Sequence, residues 1–307
     1  MSLHVVFLGT GGSIPTMGRS LPAVLLQRQS EQIMFDCGEG VQRQMVKAKV
    51  GFHRKMKIFV SHMHGDHVLG LPGLLQTMAL LGRERKLEVY GPVGIGQFFK
   101  CVKDSLNFGL TFDVEINEVC CDGAVCEEAE YFIEAVRSNH VISGWSYAFT
   151  EKTRPGKFHP DRAKALGIPE GELWSLLQHG DSVKLSDGRV VHPESVLGSP
   201  RKGRKIVYSG DTRPFESFIK FAADSDLVIH EATFDDALAE KAELDGHSTP
   251  SQAAMQAKKA KAKRLVLTHV SARYADSRLL FEQAQQVFKE VIVAEDFLVL
   301  KLALFKG

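Results

Sequence analysis

The clearest candidate for chemistry is a histidine-rich motif in the first quarter of the chain. His62, His64, Asp66 and His67 fall within the six residues His-Met-His-Gly-Asp-His. Imidazole nitrogens and carboxylate oxygens are ligands for zinc and similar first-row ions. Four adjacent ligands exceed what one tetrahedral centre can use while it also holds a substrate. The motif therefore predicts a pair of metal ions, with further ligands supplied from elsewhere in the chain.

Three other candidate ligands each stand just past an apolar run typical of a strand; they are His140, Asp211 and His269. The histidine-rich motif also follows such a run, 57–61. Loops at the ends of rigid strands deliver side chains to a common site. One strand-end His or Asp alone is more often structural, so only the set favours a shared centre. Two cations about 3.5–4 Å apart can activate a water and stabilise charge on an attacked phosphate.

The elements that must position these residues alternate between strands and helices, which predicts an α/β protein of two sheets with helices outside. The predicted strands are 5–9, 23–27, 33–36, 57–61, 87–90, 112–116, 131–136, 145–150, 205–208, 227–229 and 264–268. The predicted helices are 41–50, 69–81, 96–106, 215–223 and 250–262. Thr249, Pro250 and Gln252 predict a capping box with Pro at the first helical position of the last of these.

Residues 150–205 interrupt this alternation. Five prolines, a Gly-Ile-Pro-Glu-Gly cluster and few core-forming stretches indicate an inserted segment that protrudes from the body. A plain surface excursion remains the alternative. Several of its cations are candidate phosphate contacts, among them Arg154, Lys157, Arg201 and Lys202. The glycine-containing run 198–205 lacks the Lys-Ser/Thr ending of a phosphate loop, so we expect no nucleotide cofactor.

Composition sets limits on the class of protein. The 307 residues, 44% hydrophobic and 24% charged, are typical of one large or two average globular domains. The net charge of +1 leaves any anionic substrate to local patches. No apolar run reaches a membrane span and no signal peptide is evident, so we expect a cytoplasmic protein. The five cysteines show no Cys-x-x-Cys spacing and predict buried free thiols.

Further motifs accompany the candidate ligands: Phe-Asp-Cys-Gly-Glu-Gly at 35–40, Gly-Leu-Pro-Gly-Leu at 70–74, His-Glu-Ala-Thr at 230–233, Gly-His-Ser at 246–248 and Thr-His-Val-Ser-Ala-Arg-Tyr at 268–274. With the histidine-rich motif and Gly-Asp-Thr at 210–212, they resemble the ribonuclease Z family of the metallo-β-lactamase superfamily. The likeness extends over nearly the whole chain. It implies a zinc-dependent endoribonuclease that removes 3′ trailers from precursor tRNA, leaving a tRNA 3′-hydroxyl and a trailer 5′-phosphate.

The resemblance also implies a fold and a ligand set. The fold is an αββα sandwich over residues 1–307, with residues 150–205 inserted in the second half as a protruding exosite arm for tRNA. Two zinc ions per subunit would lie between the sheets. The implied ligands are His62, His64 and His140 for one ion, Asp66, His67 and His269 for the other, and Asp211 between them.

Catalytic roles follow from the same resemblance. Asp66 would orient or deprotonate the attacking water, and His247, supported by Glu231, would give a proton to the leaving 3′-oxygen. Without the resemblance, Glu231 is an ordinary strand-end residue and His247 an ordinary turn residue. Arg273 could hold a flanking phosphate, although a helix-capping or ion-pair role is almost as well supported.

Two expectations concern the partners. The family likeness implies a homodimer in which the arm of one subunit holds tRNA for the active site of the other. The segment Pro15–Ser20 departs from a family pattern, Pro-x-Lys-x-Arg-Asn, because Met17 and Ser20 replace the Lys and the Asn. That departure leaves the treatment of precursors bearing CCA, and the cleavage position, open.

The alternative function is another metallo-β-lactamase-fold hydrolase that acts on a small phosphodiester, ester or thioester.

Overall fold

The computed structural model of the chain describes residues 2–304, which form two large sheets and ten helices. The strands are β1 (Leu3–Gly9), β2 (Gly11–Gly12), β3 (Ala23–Arg28), β4 (Glu31–Phe35), β5 (Lys55–Phe59), β6 (Leu87–Pro92), β7 (Val114–Val119), β8 (Gly123–Glu127), β9 (Tyr131–Arg137), β10 (Trp145–Glu151), β11 (Val183–Lys184), β12 (Val190–Val191), β13 (Lys205–Tyr208), β14 (Leu227–Glu231), β15 (Leu265–Thr268), β16 (Val270–Ser271), β17 (Val291–Val293) and β18 (Val299–Leu302). The helices are α1 (Val41–Lys47), α2 (Gly65–Val68), α3 (Gly70–Leu80), α4 (Ile95–Leu106), α5 (Pro160–Ala165), α6 (Glu172–His179), α7 (Glu216–Phe221), α8 (Ala239–Asp245), α9 (Pro250–Lys259) and α10 (Arg278–Val287).

Two seven-stranded sheets form the centre, in the orders β18-β1-β3-β4-β5-β6-β7 and β17-β15-β14-β13-β10-β9-β8. Side chains alternate between the two faces of a strand. In β1, Leu3, Val5 and Phe7 therefore enter the core between the sheets, while Val6 and Leu8 enter the layer under α1 and α3. A third apolar layer joins the second sheet to α7, α9 and α10. The order helix, sheet, sheet, helix confirms the αββα sandwich.

The parallel strands of both sheets end where the sequence places its chemistry. In the first sheet β4 and β5 are parallel, with Phe35 opposite Phe59 at their carboxyl ends. In the second, β13, β14 and β15 are parallel, with Glu231 opposite Thr268. Because these ends align, the loops that follow them carry the polar side chains to one edge of the sandwich.

The structure divides into two compact units, residues 2–149 with 205–303 and residues 150–204. The second contains α5, α6, β11 and β12 around a small core, with Ile168, Leu177 and Val196 among its buried residues. This core forms although the sequence shows few core-forming stretches there, because apolar residues scattered along it come together on folding. Inside this unit, Arg204 and Glu151 form a buried bidentate ion pair at 2.6 and 2.7 Å.

Other expectations need correction. The predicted strand 112–116 lies at Val114–Val119, and β8, α8 and α10 were not predicted. Of the five cysteines, Cys37 and Cys126 are buried, but Cys101, Cys120 and Cys121 are exposed, so the prediction of buried thiols was wrong for three. Among the described residues, no helix is long and apolar enough to cross a membrane.

We expect Phe35→Ala to lower the free energy of unfolding by about 3–5 kcal/mol, because it opens a cavity that the packed sheets cannot fill. Phe35 is fully buried and stacks on Tyr208 and Tyr147, with ring centroids 5.4 and 6.1 Å away. Urea unfolding measures the change. Leu106→Ala, at a 56% exposed position, should stay within about 0.5 kcal/mol. Equal losses in both variants would contradict this packing.

Candidate metal centre

The candidate ligands lie at the edge where the parallel strands end. The histidine-rich motif follows β5, but it is not wholly a loop as expected, because Gly65–Val68 forms the single helical turn α2. His140 lies between β9 and β10, Asp211 follows β13 and His269 directly follows β15. His269 has a left-handed backbone, φ 56°, and its ring packs so closely on Gly12 that a Cβ there would lie 2.5 Å from Nδ1.

One group of side chains comprises His62, His64, His140 and Asp211, whose candidate ligand atoms lie within 4.8 Å of one another. His62 Nε2 lies 3.0 Å from His64 Nδ1, and His140 Nε2 lies 3.3 Å from the same atom. Asp211 Oδ2 lies 3.6 Å from His62 Nε2. These four side chains come from three separate loops, and their donor atoms face a common point.

A second group comprises Asp66, His67 and His269. The Nε2 atoms of His67 and His269 are 3.3 Å apart, and Asp66 Oδ2 lies 3.5 and 3.4 Å from them. Asp211 Oδ2 lies 3.3 Å from each of these two nitrogens. One oxygen of Asp211 is therefore close to both groups, and the structure brings all seven sequence-predicted ligands together.

Hydrogen bonds to the outer ring nitrogens determine which nitrogen of each histidine faces the centre. His67 Nδ1 donates to Asp36 at 2.7 Å, and His140 Nδ1 donates to the Gly246 carbonyl at 2.7 Å. Thr233 gives its proton to Glu231, so its oxygen accepts the Nδ1 proton of His269 at 2.8 Å. Such contacts orient metal-binding histidines and set their tautomers.

Ser61 does the same for His62. Its hydroxyl donates to Asp36 at 2.9 Å, and its oxygen accepts from His62 Nδ1 at 3.0 Å. In their neutral forms, His62, His67, His140 and His269 therefore present inner-nitrogen lone pairs, which face one another and two carboxylates. Lone pairs at these separations repel unless a proton or a metal cation lies between them. Ligand atoms around a tetrahedral zinc ion at 2.0–2.1 Å are about 3.3 Å apart, which matches the observed spacing.

Burial and charge set the proton affinities in the cluster. Burial lowers the pKa of His62 well below its usual value, and the neighbouring His67 lowers it further. Burial also lowers the pKa of His67, but the carboxylates of Asp211 and Asp36 outweigh it and raise that pKa well above the usual value. The pKa of Asp211 is held far below its usual range, because the charges of His269 and His67 outweigh its burial. The cluster therefore holds ionised carboxylates around imidazoles, of which His67 binds a proton tightly, and a divalent cation can take the place of that positive charge.

Asp36 and Arg213 are functional residues that the sequence analysis missed. Asp36 is fully buried, and its Oδ2 accepts from His67, Ser61 and, at 2.6 Å, Tyr208. It stands directly after a buried strand, in the motif at 35–40 that was used only for family likeness. Asp36 could have been identified from this position after a strand, which Asp211 and His269 share.

Arg213 joins the loops that carry His140 and His247. Its backbone N–H donates to the Asn139 carbonyl at 2.9 Å, next to His140. Its guanidinium donates to the carbonyls of Glu243 at 2.5 Å and Leu244 at 3.3 Å, near the end of the helix that precedes His247. No sequence signal connects these segments, because the three carbonyls meet only in the folded chain.

A carboxylate–imidazole pair lies beside the ligand cluster. His247 Nδ1 donates to Glu231 Oε1 at 2.8 Å, and the His247 ring centroid lies 5.1 and 5.4 Å from those of His140 and His269. Burial lowers the pKa of His247, but the charge and hydrogen bond of buried Glu231 outweigh this effect and raise it to about 9. A protonated imidazole at this place is suited to general acid catalysis.

The remaining candidates are not part of the ligand cluster. Arg273 is exposed, and its guanidinium lies over the Phe234 ring, 4.7 Å from the centroid. Arg154 and Arg201 belong to the second unit, where their backbones pair in both directions, and Lys157 and Lys202 are exposed in the same unit. His230 is buried, and its two ring nitrogens bond the Glu231 carbonyl and the side chain of Gln256.

Comparison with known proteins gives a consistent result. The family model described as "Beta-lactamase superfamily domain" matches residues 178–270, and the model of the anti-Pycsar protein Apyc1 matches residues 3–153. Ribonuclease Z of Methanosarcina acetivorans is 46% identical over 98% of both chains, and that of Nitrosopumilus maritimus is 43% identical over 98% of this chain and all of its own. The crystal structure of human tRNase Z, short form, superimposes with a TM-score of 0.72 at 32% identity, covering 97% of this chain and 98% of that one.

We expect Asp36→Asn to weaken metal binding about 10–100-fold in the group that contains His67, because the substituted amide no longer supplies the charge that orients the ring. A chelator-competition titration of the metal-loaded protein measures this change. The matched control is Asp226→Asn, which changes a carboxylate bonded to Lys205 and Lys263. Unchanged affinity in Asp36→Asn, or an equal loss in the control, would contradict the role of Asp36.

Proposed function

This chain belongs to the ribonuclease Z family, and on that premise we propose that it is a metal-dependent endoribonuclease that removes the 3′ trailer of precursor tRNA. Cleavage leaves a 3′-hydroxyl on the tRNA and a 5′-phosphate on the trailer. The observation that carries the proposal is the placement of the His247–Glu231 pair beside seven candidate metal ligands. Hydrolysis of a phosphodiester needs both an attacking oxygen and a proton for the leaving oxygen, and this edge of the sandwich has groups for both.

The donor set fits two zinc ions per subunit. We assign His62, His64 and His140 to one ion, Asp66, His67 and His269 to the other, and Asp211 to both, in accord with the distances between their ligand atoms. When bound, such a pair of ions supplies a nucleophile at neutral pH and offsets charge on the phosphate. The inward lone pairs of four histidines are the structural support for this assignment.

The protein side chains carry the proton transfers. Asp66 Oδ2 accepts the backbone N–H of Ser13 at 3.1 Å, which fixes the carboxylate where it can orient the attacking water. His247, held through Nδ1, has its Nε2 proton available for the 3′-oxygen as the bond to phosphorus breaks. Glu231 also accepts from the backbone of Thr212 at 2.9 Å, so its charge stays aimed at His247.

We assign RNA binding to cations outside the centre. Arg273 would hold a phosphate near the scissile one, and Arg154, Lys157, Arg201 and Lys202 would hold phosphates of the tRNA body as part of an exosite arm. A homodimer in which the arm of one subunit serves the site of the other completes the proposal. We place the protein in the cytoplasm, because its substrate is an intracellular RNA.

We predict that His247→Ala lowers the rate of single-turnover cleavage of a 3′-extended precursor tRNA about 10²–10⁴-fold, while the bound metal content is unchanged. A substrate with sulfur in place of the leaving 3′-oxygen needs no proton, so the loss should largely disappear with it. The control is His179→Ala, at an exposed position. A full loss with the sulfur substrate would contradict the role as general acid. Cleavage by wild type that survives metal removal with a chelator would refute the proposed function.

We predict that changing Arg154, Lys157, Arg201 and Lys202 together to Gln lowers kcat/KM for precursor tRNA at least 100-fold more than for bis(4-nitrophenyl) phosphate, because only the RNA reaches beyond the centre. The salt dependence of tRNA binding should become less steep. The matched control removes the same charge from the end of α9 and the residues that follow it, by Gln at Lys258, Lys259, Lys261 and Lys263. Equal losses on both substrates would show that these cations are not an exosite.

A further inference from the structure

We propose that Lys241 and Arg273, both held against the ring of Phe234, form a binding site for one RNA phosphate on the tRNA side of the cleaved bond. The inference rests on the proposed function and adds a subsite to it. We call these three residues the Phe234 platform.

Phe234 connects the platform to the acid. It follows Thr233, whose hydroxyl bonds Glu231, and it is only 5% exposed. Its ring meets that of His247 nearly edge-on, with centroids 5.8 Å apart and an interplanar angle of 74°. A buried ring at this place cannot stack on an RNA base. It can instead fix the distance between His247 and whatever lies on its own exposed side.

Two cationic groups lie over this ring. Arg273 Cζ lies 4.7 Å and Lys241 Nζ lies 5.3 Å from the ring centroid. At these distances the ring quadrupole attracts a cation. A phosphate that reaches either cation gains a charge-assisted hydrogen bond. Lys241 also pairs with Asp245 at 2.7 Å, but both side chains are exposed, so this pair is weak.

The backbone around the platform is braced. The Asp235 N–H donates to the Tyr274 hydroxyl at 2.7 Å, and that hydroxyl donates to the Asp235 carboxylate at 2.8 Å. Asp235 is next to Phe234, and Tyr274 is next to Arg273, so the two segments are fastened to each other. Arg273 Nε donates to Ser271 Oγ at 3.2 Å. The cation is therefore held in place before RNA binds, which reduces the entropy lost on binding.

The direction of cleavage identifies the phosphate. His247 protonates the 3′-oxygen that departs, and this oxygen remains on the tRNA. The nucleotide that carries it must therefore lie on the His247 side of the centre. Phe234 lies next to His247, so the phosphate that reaches the platform is upstream of the cleaved bond, and the trailer leaves in another direction.

The test combines side-chain and substrate changes. We compare Lys241→Gln with wild type on a precursor tRNA whose charged phosphate is replaced by a neutral methylphosphonate, at the first or second position upstream of the cleaved bond or the first position downstream. Lys100→Gln is the matched control, because Lys100 also pairs with an Asp four residues later at 2.7 Å. We also measure Phe234→Leu, which keeps an apolar side chain but removes the aromatic ring.

On unmodified precursor tRNA we expect Lys241→Gln to lower kcat/KM about 5–10-fold, chiefly through KM, and to reduce the salt slope of binding by about one unit. Lys100→Gln should match wild type. One upstream methylphosphonate should remove most of the difference between Lys241→Gln and wild type, and the downstream one should leave it intact. Phe234→Leu should lower kcat/KM as much as Lys241→Gln does, and it should in addition lower kcat.

Independent, multiplying losses at every methylphosphonate position, or an equal loss in Lys100→Gln, would overturn the platform. The platform would also be overturned if the difference between Lys241→Gln and wild type disappeared only with the downstream methylphosphonate. In each case wild type still cleaves unmodified precursor tRNA, so the proposed function stands. If wild type does not cleave precursor tRNA at all, the proposed function fails and the platform fails with it.

Discussion

The structure depends on a cluster of inward-facing nitrogen and carboxylate ligands that requires positive charge at its centre. Four imidazoles turn their inner nitrogens toward one another and toward Asp66 and Asp211, because hydrogen bonds to their outer nitrogens leave them no other orientation. Buried lone pairs and carboxylates at about van der Waals separation are unfavourable without a proton or a metal ion between them. The folded chain is thus organised for an ion that its own side chains do not replace, and binding that ion adds free energy to the folded state.

The sandwich supplies the rigidity this arrangement needs. Asp36 directly follows a strand of the first sheet and accepts a hydrogen bond from Tyr208, which ends a strand of the second. The rings of Phe35 and Tyr208 stack just below this bond. A packed aromatic core and a charged hydrogen bond therefore fix the two sheet edges together, and the loops that carry the ligands need to span only a few residues. Arg213 also holds the loop of His247 in place, through hydrogen bonds to the carbonyls of Glu243 and Leu244.

Much of this site could be predicted from sequence because its ligands follow strands closely. The spacing from His62 to His67, and the strand-end positions of His140, Asp211 and His269, are local patterns. Thr233, Arg213 and Phe234 could not be identified in this way, and for Asp36 the strand-end position was visible but its hydrogen-bond partners were not. Their partners lie up to 172 residues away, as Asp36 and Tyr208 do, and no local pattern encodes such a contact. The fold class was predictable from its alternation, whereas β8 and α8 were missed because exposed residues interrupt their apolar patterns.

The central claim is that two cations occupy the space enclosed by seven side chains. Anomalous diffraction at the zinc edge from crystals of zinc-loaded protein tests it most directly. The account predicts two peaks, one about 2.0–2.2 Å from His62, His64 and His140 and the other at that distance from Asp66, His67 and His269, with Asp211 in contact with both. A single peak, or peaks that lie away from these side chains, would contradict it.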